Sequence, residues 1–165
     1  MFSMNKAFSP YAVLVLGGMA VVAVSILGSY LLLSERLESG QKEKAPQFFW
    51  KDFETGEALY LETLRGKVVL LNYWAKWCIF CVREMPALEK LSREYKDRGL
   101  IVLGIHRSDT ETTEAGNKFA EELGVTFKLL SDGKTGNSYA YFSRGSQWMP
   151  TSVIIDREGF IREII

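Results

Sequence analysis

The apolar positions are unevenly spread along the chain. From Pro10 to Leu33 there is no charged residue, and the stretch Tyr11 to Leu33 reads YAVLVLGGMAVVAVSILGSYLLL. As a helix it would be about 34 Å long at 1.5 Å per residue, enough to cross a hydrocarbon core roughly 30 Å thick. Tyr11 and Tyr30 lie near its ends, where amphipathic rings favour the headgroup zone. So long an uncharged run exceeds what a small domain encloses. A cleaved signal peptide would carry a shorter apolar run and an A-x-A-like site, and none is seen near Leu33-Ser34-Glu35. The expectation is a short tail (1–10), an uncleaved transmembrane anchor (11–33) and a solvated polar tether (34–45, SERLESGQKEKA). Residues 46–165 are long enough for one compact domain.

Beyond Pro46 the pattern changes. Phe48 to Leu61 predicts paired extended segments around a Glu54-Thr55-Gly56-Glu57 turn. Lys67 to Tyr73 (KVVLLNY) and Leu100 to Ile105 (LIVLGI) are near-continuous apolar runs, as in strands buried on both faces. Between them the spacing predicts a helix from Ile79 to Arg98, stopped by Gly99. Thr112 to Leu123 predicts a second helix ended by Gly124. Val125 to Leu130 reads as a strand and Asn137 to Phe142 as a short helix. Thr151–Asp156 and Phe160–Ile165 form a hairpin around Arg157-Glu158-Gly159. Strands alternating with helices predict an α/β sandwich with a parallel centre, and the terminal hairpin makes the sheet mixed.

Composition narrows the function. The chain has 165 residues, 47% of them hydrophobic and 13% aromatic, which excludes a disordered protein. Twenty basic residues balance twenty acidic ones, so nothing suggests a nucleic-acid partner. Two Cys cannot build a disulfide scaffold, and with one His they cannot complete a four-ligand zinc site unaided.

Those two Cys stand in Trp77-Cys78-Ile79-Phe80-Cys81, after a buried strand and at the start of a helix. The first thiol then lies beside free backbone N–H groups and the positive end of the helix dipole, which favour thiolate. The second, three residues on, can attack a mixed disulfide formed by the first. Two structural Cys, or half of a zinc site, are the competing readings. Glu84 shares a helical stripe with Leu88, Leu91 and Tyr95, so burial should raise its pKa and suit it to exchange protons with the Cys pair. Its alternative is a favourable charge in the first turns of a helix.

N-Y-W-A-K-W-C-I-F-C, followed by Pro86 and later by Met149-Pro150-Thr151 before a strand, resembles thioredoxin-fold proteins. With Leu64 to Asn72 (LRGKVVLLN), it resembles more narrowly the membrane-anchored thiol-disulfide oxidoreductases of the TlpA/ResA type, which include cytochrome c maturation reductants. The resemblance implies a thioredoxin-like mixed sheet flanked by helices. It implies an exposed attacking Cys78, a buried resolving Cys81 and a cis Pro150 facing their disulfide. Met149 would offer its backbone to a substrate chain, and Pro86 would be a structural kink. These proteins likewise place a Glu after the second Cys. Asn72 stands where many thioredoxins carry an Asp. Trp77 is expected to shape the surface by Cys78, Trp74 to pack, Lys76 to be solvated, and Trp148 to line a groove or join the core.

The implied partners are protein disulfide substrates, a membrane thiol-electron donor and the lipid bilayer, with no cofactor beyond the Cys78–Cys81 pair and no metal. Arg36, Lys42 and Lys44 after the apolar run outnumber Lys6 before it, which alone favours a cytoplasmic domain. The resemblance implies the extracytoplasmic side, and long domains cross largely regardless of flanking charge. Two departures stand out. Phe80 replaces a Pro common between the two Cys, and the chain stops at Ile165, where a covering C-terminal helix would normally follow. A disulfide oxidant or isomerase would use the same residues. A copper-handling module would use the two thiolates and His106, which is expected to lack partners.

Overall fold

The computed structural model describes residues 19, 21–31 and 43–165. Residues 21–31 are helical, with their apolar side chains exposed. The anchor expected at 11–33 lies largely outside the described residues, as do the tail and most of the tether. Among the described residues no helix is long and apolar enough to cross a membrane. The chain divides into two compact units, Met1–Gln41 and Lys42–Ile165.

The second unit is built on one mixed sheet. Its strands are β1 (Phe49–Asp52), β2 (Ala58–Tyr60), β3 (Val68–Trp74), β4 (Leu100–His106), β5 (Lys128–Ser131), β6 (Thr151–Ile155) and β7 (Ile161–Ile164). Their spatial order is β2-β1-β5-β4-β3-β6-β7. β3, β4 and β5 are parallel, and β1, β2, β6 and β7 join antiparallel. The helices are α1 (Ile79–Tyr95), α2 (Thr113–Glu122) and the short α3 (Asn137–Phe142). This is the mixed α/β sheet that the alternation of apolar runs predicts, in the thioredoxin-like arrangement that the resemblance implies.

The period-2 geometry of β3 separates packing from chemistry. Val69, Leu71 and Tyr73 face a core with Trp50, Leu103, Ile105, Phe142, Val153 and Ile155. Leu70, Asn72 and Trp74 face the opposite way. Leu70 packs with Val102, Phe127 and the α1 residues Leu88 and Leu91, and Trp74 packs with Cys78, Cys81, Met85 and Ala120. The parallel register sets Asn72 beside Gly104 and Trp74 beside His106, so the polar pair ends on the helix side.

Several boundaries differ from the sequence reading. The first helix is α only to Tyr95. Lys96–Arg98 tighten to a 3-10 turn, and Gly99 then takes the left-handed conformation (φ 86°) that stops it. The strand expected from Val125 begins at Lys128, because the Glu89 carboxylate takes the N–H groups of Thr126 (2.7 Å) and Phe127 (3.3 Å) before the sheet can. A 3-10 turn at Leu61–Leu64 was not anticipated. The end of the tether is not free: Ala45 donates its N–H to Gly159 (3.0 Å), Ile161 donates to Glu43 (2.8 Å), and Ala45 is buried.

Gly116 of α2 is required by close approach. A Cβ there would lie 2.6 Å from Nε2 and 2.7 Å from Cδ2 of His106, a ring with no exposed surface. Gly116→Ala gains helix propensity of roughly 0.5–1 kcal/mol but overpacks a fixed ring at a cost of about 1–3 kcal/mol. The expected outcome is a net loss of stability, read as a lower midpoint in urea unfolding.

Candidate active site

β3 delivers the chain to the site. It is buried along most of its length, and Ala75 to Cys78 turn it into α1, with Cys78 N–H closing the turn on the Ala75 carbonyl (3.1 Å). Cys78 is the N-cap of α1. Its backbone is extended (φ −84°, ψ 97°), and its Sγ accepts the Cys81 N–H at 3.2 Å. The sulfur thus replaces the hydroxyl that usually satisfies a first-turn amide. Cys78 and Cys81 are joined as a disulfide, with Cα atoms 5.3 Å apart.

Cys81 is fully buried, as expected. Cys78 is not the exposed residue expected: only 5% of its surface is accessible. With its sulfur bonded inward to Cys81, exposure passes to its neighbours Trp77, Ile79 and Phe80, each more than half accessible. They are exposed apolar side chains next to the two cysteines in sequence.

The Met149–Pro150 bond is cis. Met149 packs against the cluster of Trp74, Cys78, Cys81, Met85 and Ala120, which brings the loop before β6 to the cluster that holds the disulfide. Trp148 is 85% exposed, which removes it from the core. Tyr139 donates its hydroxyl hydrogen to the carbonyls of Ser146 (3.3 Å) and Trp148 (3.2 Å), and the Arg107 guanidinium lies 3.8 Å from the Tyr139 ring centre and 3.7 Å from Met149 Sδ. Arg107 was not singled out from the sequence; no local signal marks it.

Glu84 is half-buried, less so than Cys81 and Met85 of the same helix. Asn72 Nδ2 donates to Glu84 Oε1 (2.6 Å) and to Ser152 Oγ (3.1 Å). Burial raises the Glu84 pKa, and the Asn72 hydrogen bond only partly opposes it. Asn72 Oδ1 is itself buried without a partner. The tie from Asn72 to Glu84 was missed in the sequence, although their side chains are called together once even positions of β3 are known to face α1.

Trp74 is buried and packs, as expected. Trp77 is exposed, and its Nε1 donates to Thr110 Oγ1 (3.1 Å). Lys76 is exposed, its ammonium 5.7 Å from the Phe119 ring centre. The expectation that His106 lacks partners is wrong. Its Nδ1 meets Ser108 Oγ (2.9 Å) and its Nε2 meets Glu111 Oε1 (2.8 Å), and the ring is wholly buried. Both nitrogens are occupied, so His106 is not poised to join two thiolates around a metal. Among the described residues no group of three or more His, Cys, Asp or Glu is placed to hold a metal ion.

A sulfur pair at a helix start, set against a cis-proline loop, performs dithiol–disulfide exchange. The class so defined is that of the thioredoxin-fold thiol-disulfide oxidoreductases. Residues 42–164 match the AhpC/TSA family, and the chain belongs to it. It is 39% identical over 130 residues to the thioredoxin-like protein YneN of Bacillus subtilis, covering 78% of this chain and 71% of that protein. It is 31% identical over 148 residues to the thiol-disulfide oxidoreductase ResA of Halalkalibacterium halodurans, covering 88% and 81%. Among solved structures, a thiol:disulfide interchange protein from Bacteroides sp. superposes with a TM-score of 0.66 at 25% identity, covering 74% of this chain and 79% of that one.

The Glu84 environment has a testable sign. Its raised pKa means that the folded chain holds the proton more tightly than the unfolded one. The stability this confers is full below the ordinary value of 4.5 and is lost as pH rises through the raised value. Glu84→Gln should therefore gain on the wild type as pH rises across that window. Urea unfolding of both oxidised proteins at a series of pH values checks it; a constant difference would contradict it.

Proposed function

We propose that this thiol-disulfide oxidoreductase works as a membrane-tethered reductant of protein disulfides on the extracytoplasmic side, with a role in cytochrome c maturation. The observation that carries the chemistry is Cys78 Sγ at the N-cap of α1, accepting the Cys81 N–H. In the reduced protein the same N–H stabilises a Cys78 thiolate. That thiolate attacks one sulfur of a substrate disulfide. A mixed disulfide forms and the other substrate sulfur leaves as a thiolate. Cys81, deprotonated, then attacks Cys78 Sγ, releasing the second substrate sulfur. Two electrons pass to the substrate, and the Cys78–Cys81 disulfide is left behind. Glu84 holds or releases the Cys81 proton. Met149 and the cis-Pro150 bond present the backbone edge on which a substrate strand aligns, and Trp77 walls the approach to Cys78.

The tether reading rests on the uncharged stretch 11–33, and the sidedness on the resemblance to membrane-anchored oxidoreductases of the TlpA/ResA type. A membrane thiol-electron donor would return two electrons to the oxidised pair. Protease accessibility in intact cells tests sidedness.

Insulin-disulfide reduction tests the chemistry. Cys78→Ser is expected to reduce the rate to background. Cys81→Ser should accumulate a mixed disulfide through Cys78, visible on non-reducing gels. Equilibration with glutathione buffers separates the direction of electron flow: a potential well below that of the glutathione pool supports the reductant, whereas one near the strongly oxidising end assigns an oxidant.

A further inference from the structure

Behind the Ala75–Cys78 turn lies a polar network that the exchange chemistry does not by itself require. The segment Arg107–Glu111 leaves β4 and folds back along this turn. Arg107 N–H donates to the Trp74 carbonyl (2.9 Å), Thr110 Oγ1 accepts the Trp77 indole N–H, and Glu111 Oε1 accepts the Lys76 backbone N–H at 2.5 Å. Lys76 N–H is the inner amide of the turn that ends at Cys78. The same Glu111 oxygen meets His106 Nε2 at 2.8 Å.

The directions of these bonds are consistent from end to end. A carboxylate oxygen only accepts, so Nε2 of His106 carries the hydrogen. Nδ1 then accepts from the Ser108 hydroxyl. Ser108 Oγ accepts from Ser131 Oγ (2.7 Å), which accepts the Gly133 N–H (3.1 Å). The Ser108 hydroxyl has a second, longer acceptor in the His106 carbonyl (3.4 Å), and the chain ends on the carboxylate that holds the cysteine turn. His106 is fixed by the sheet and the Trp74 ring (centroids 4.9 Å apart), and Gly116 leaves α2 room to approach it. The Glu111 side chain is only 14% exposed.

We propose that Glu111, oriented by His106, is a positioning residue for Cys78: it clamps the Lys76 amide and so holds the turn in the geometry that keeps Cys78 Sγ on the N-terminal N–H groups of α1. The proposal rests on the reading of Cys78 as the attacking sulfur. Without the clamp the Lys76–Cys78 turn moves, the sulfur leaves its N–H donor, and thiolate is lost. Gln retains an acceptor oxygen at the same reach and should retain the clamp; Ala should not.

The test uses the full chain, reduced, with iodoacetamide alkylation of Cys78 followed from acid to alkaline pH and insulin reduction measured alongside. Glu111→Ala should slow both at neutral pH by about tenfold and move the alkylation midpoint upward. Glu111→Gln should stay within about twofold of the wild type. Urea unfolding checks that both variants are folded at the assay temperature. The inference is overturned if Glu111→Ala keeps the wild-type rate and midpoint, or if both variants speed alkylation alike, which would mark a bare charge effect. A wild-type Cys78 that is itself sluggish would instead sink the underlying reading of the site. If Glu111→Ala does not fold, a Glu111→Gln midpoint displaced by about one pH unit or more, tenfold in thiolate, overturns the inference, and a smaller displacement supports it.

Discussion

The site depends on one hydrogen bond, from the Cys81 backbone N–H to Cys78 Sγ at the start of α1. A helix leaves its first amides without partners, and here one of them is satisfied by sulfur rather than oxygen. The same electrostatics that complete the helix end also favour a sulfur anion. The cap and the nucleophile are one atom, so structural and chemical requirements coincide at residue 78.

Much of the surrounding structure keeps that atom in place. β3 is clamped between β4 and β6, and its buried length fixes where α1 begins. One face of β3 is given to packing through Leu71 and Tyr73, and the other carries Asn72 and Trp74 toward the helices. Asn72 ties Glu84 of α1 to Ser152, just after the cis-proline bond. Two strands distant in sequence, β3 and β6, are thereby tied to α1. An Asn at this point supplies a donor to the carboxylate without adding a second negative charge beside it.

The order of strands and helices was legible because the buried parallel strands are near-continuous apolar runs, and Gly99 and Gly124 punctuate the helices. The disulfide site was legible because both sulfurs lie within one turn, so local chain geometry alone brings them together. The strand start was placed at Val125 rather than Lys128 because a distant carboxylate, Glu89, competes for the intervening amides. Cys78 was read as exposed because sequence does not report how its sulfur turns once bonded inward. His106 was read as solitary for a related reason: its partners Ser108 and Glu111 are close in sequence, but only the reversal of the chain after β4 sets them on opposite ring nitrogens.

By itself the sequence determined the α/β alternation, the pair of sulfurs at a helix start, and the uncharged run at 11–33. Each is a property of spacing over a few residues, which the backbone's own periodicity converts into structure. Tertiary structure alone decided which faces met. It placed Glu84 beside Asn72, Met149 against the cluster that holds the disulfide, and Glu111 between an imidazole and the cysteine turn. Those contacts join residues through the register of neighbouring strands, and register is set by the packing of the whole sheet rather than by any segment of it.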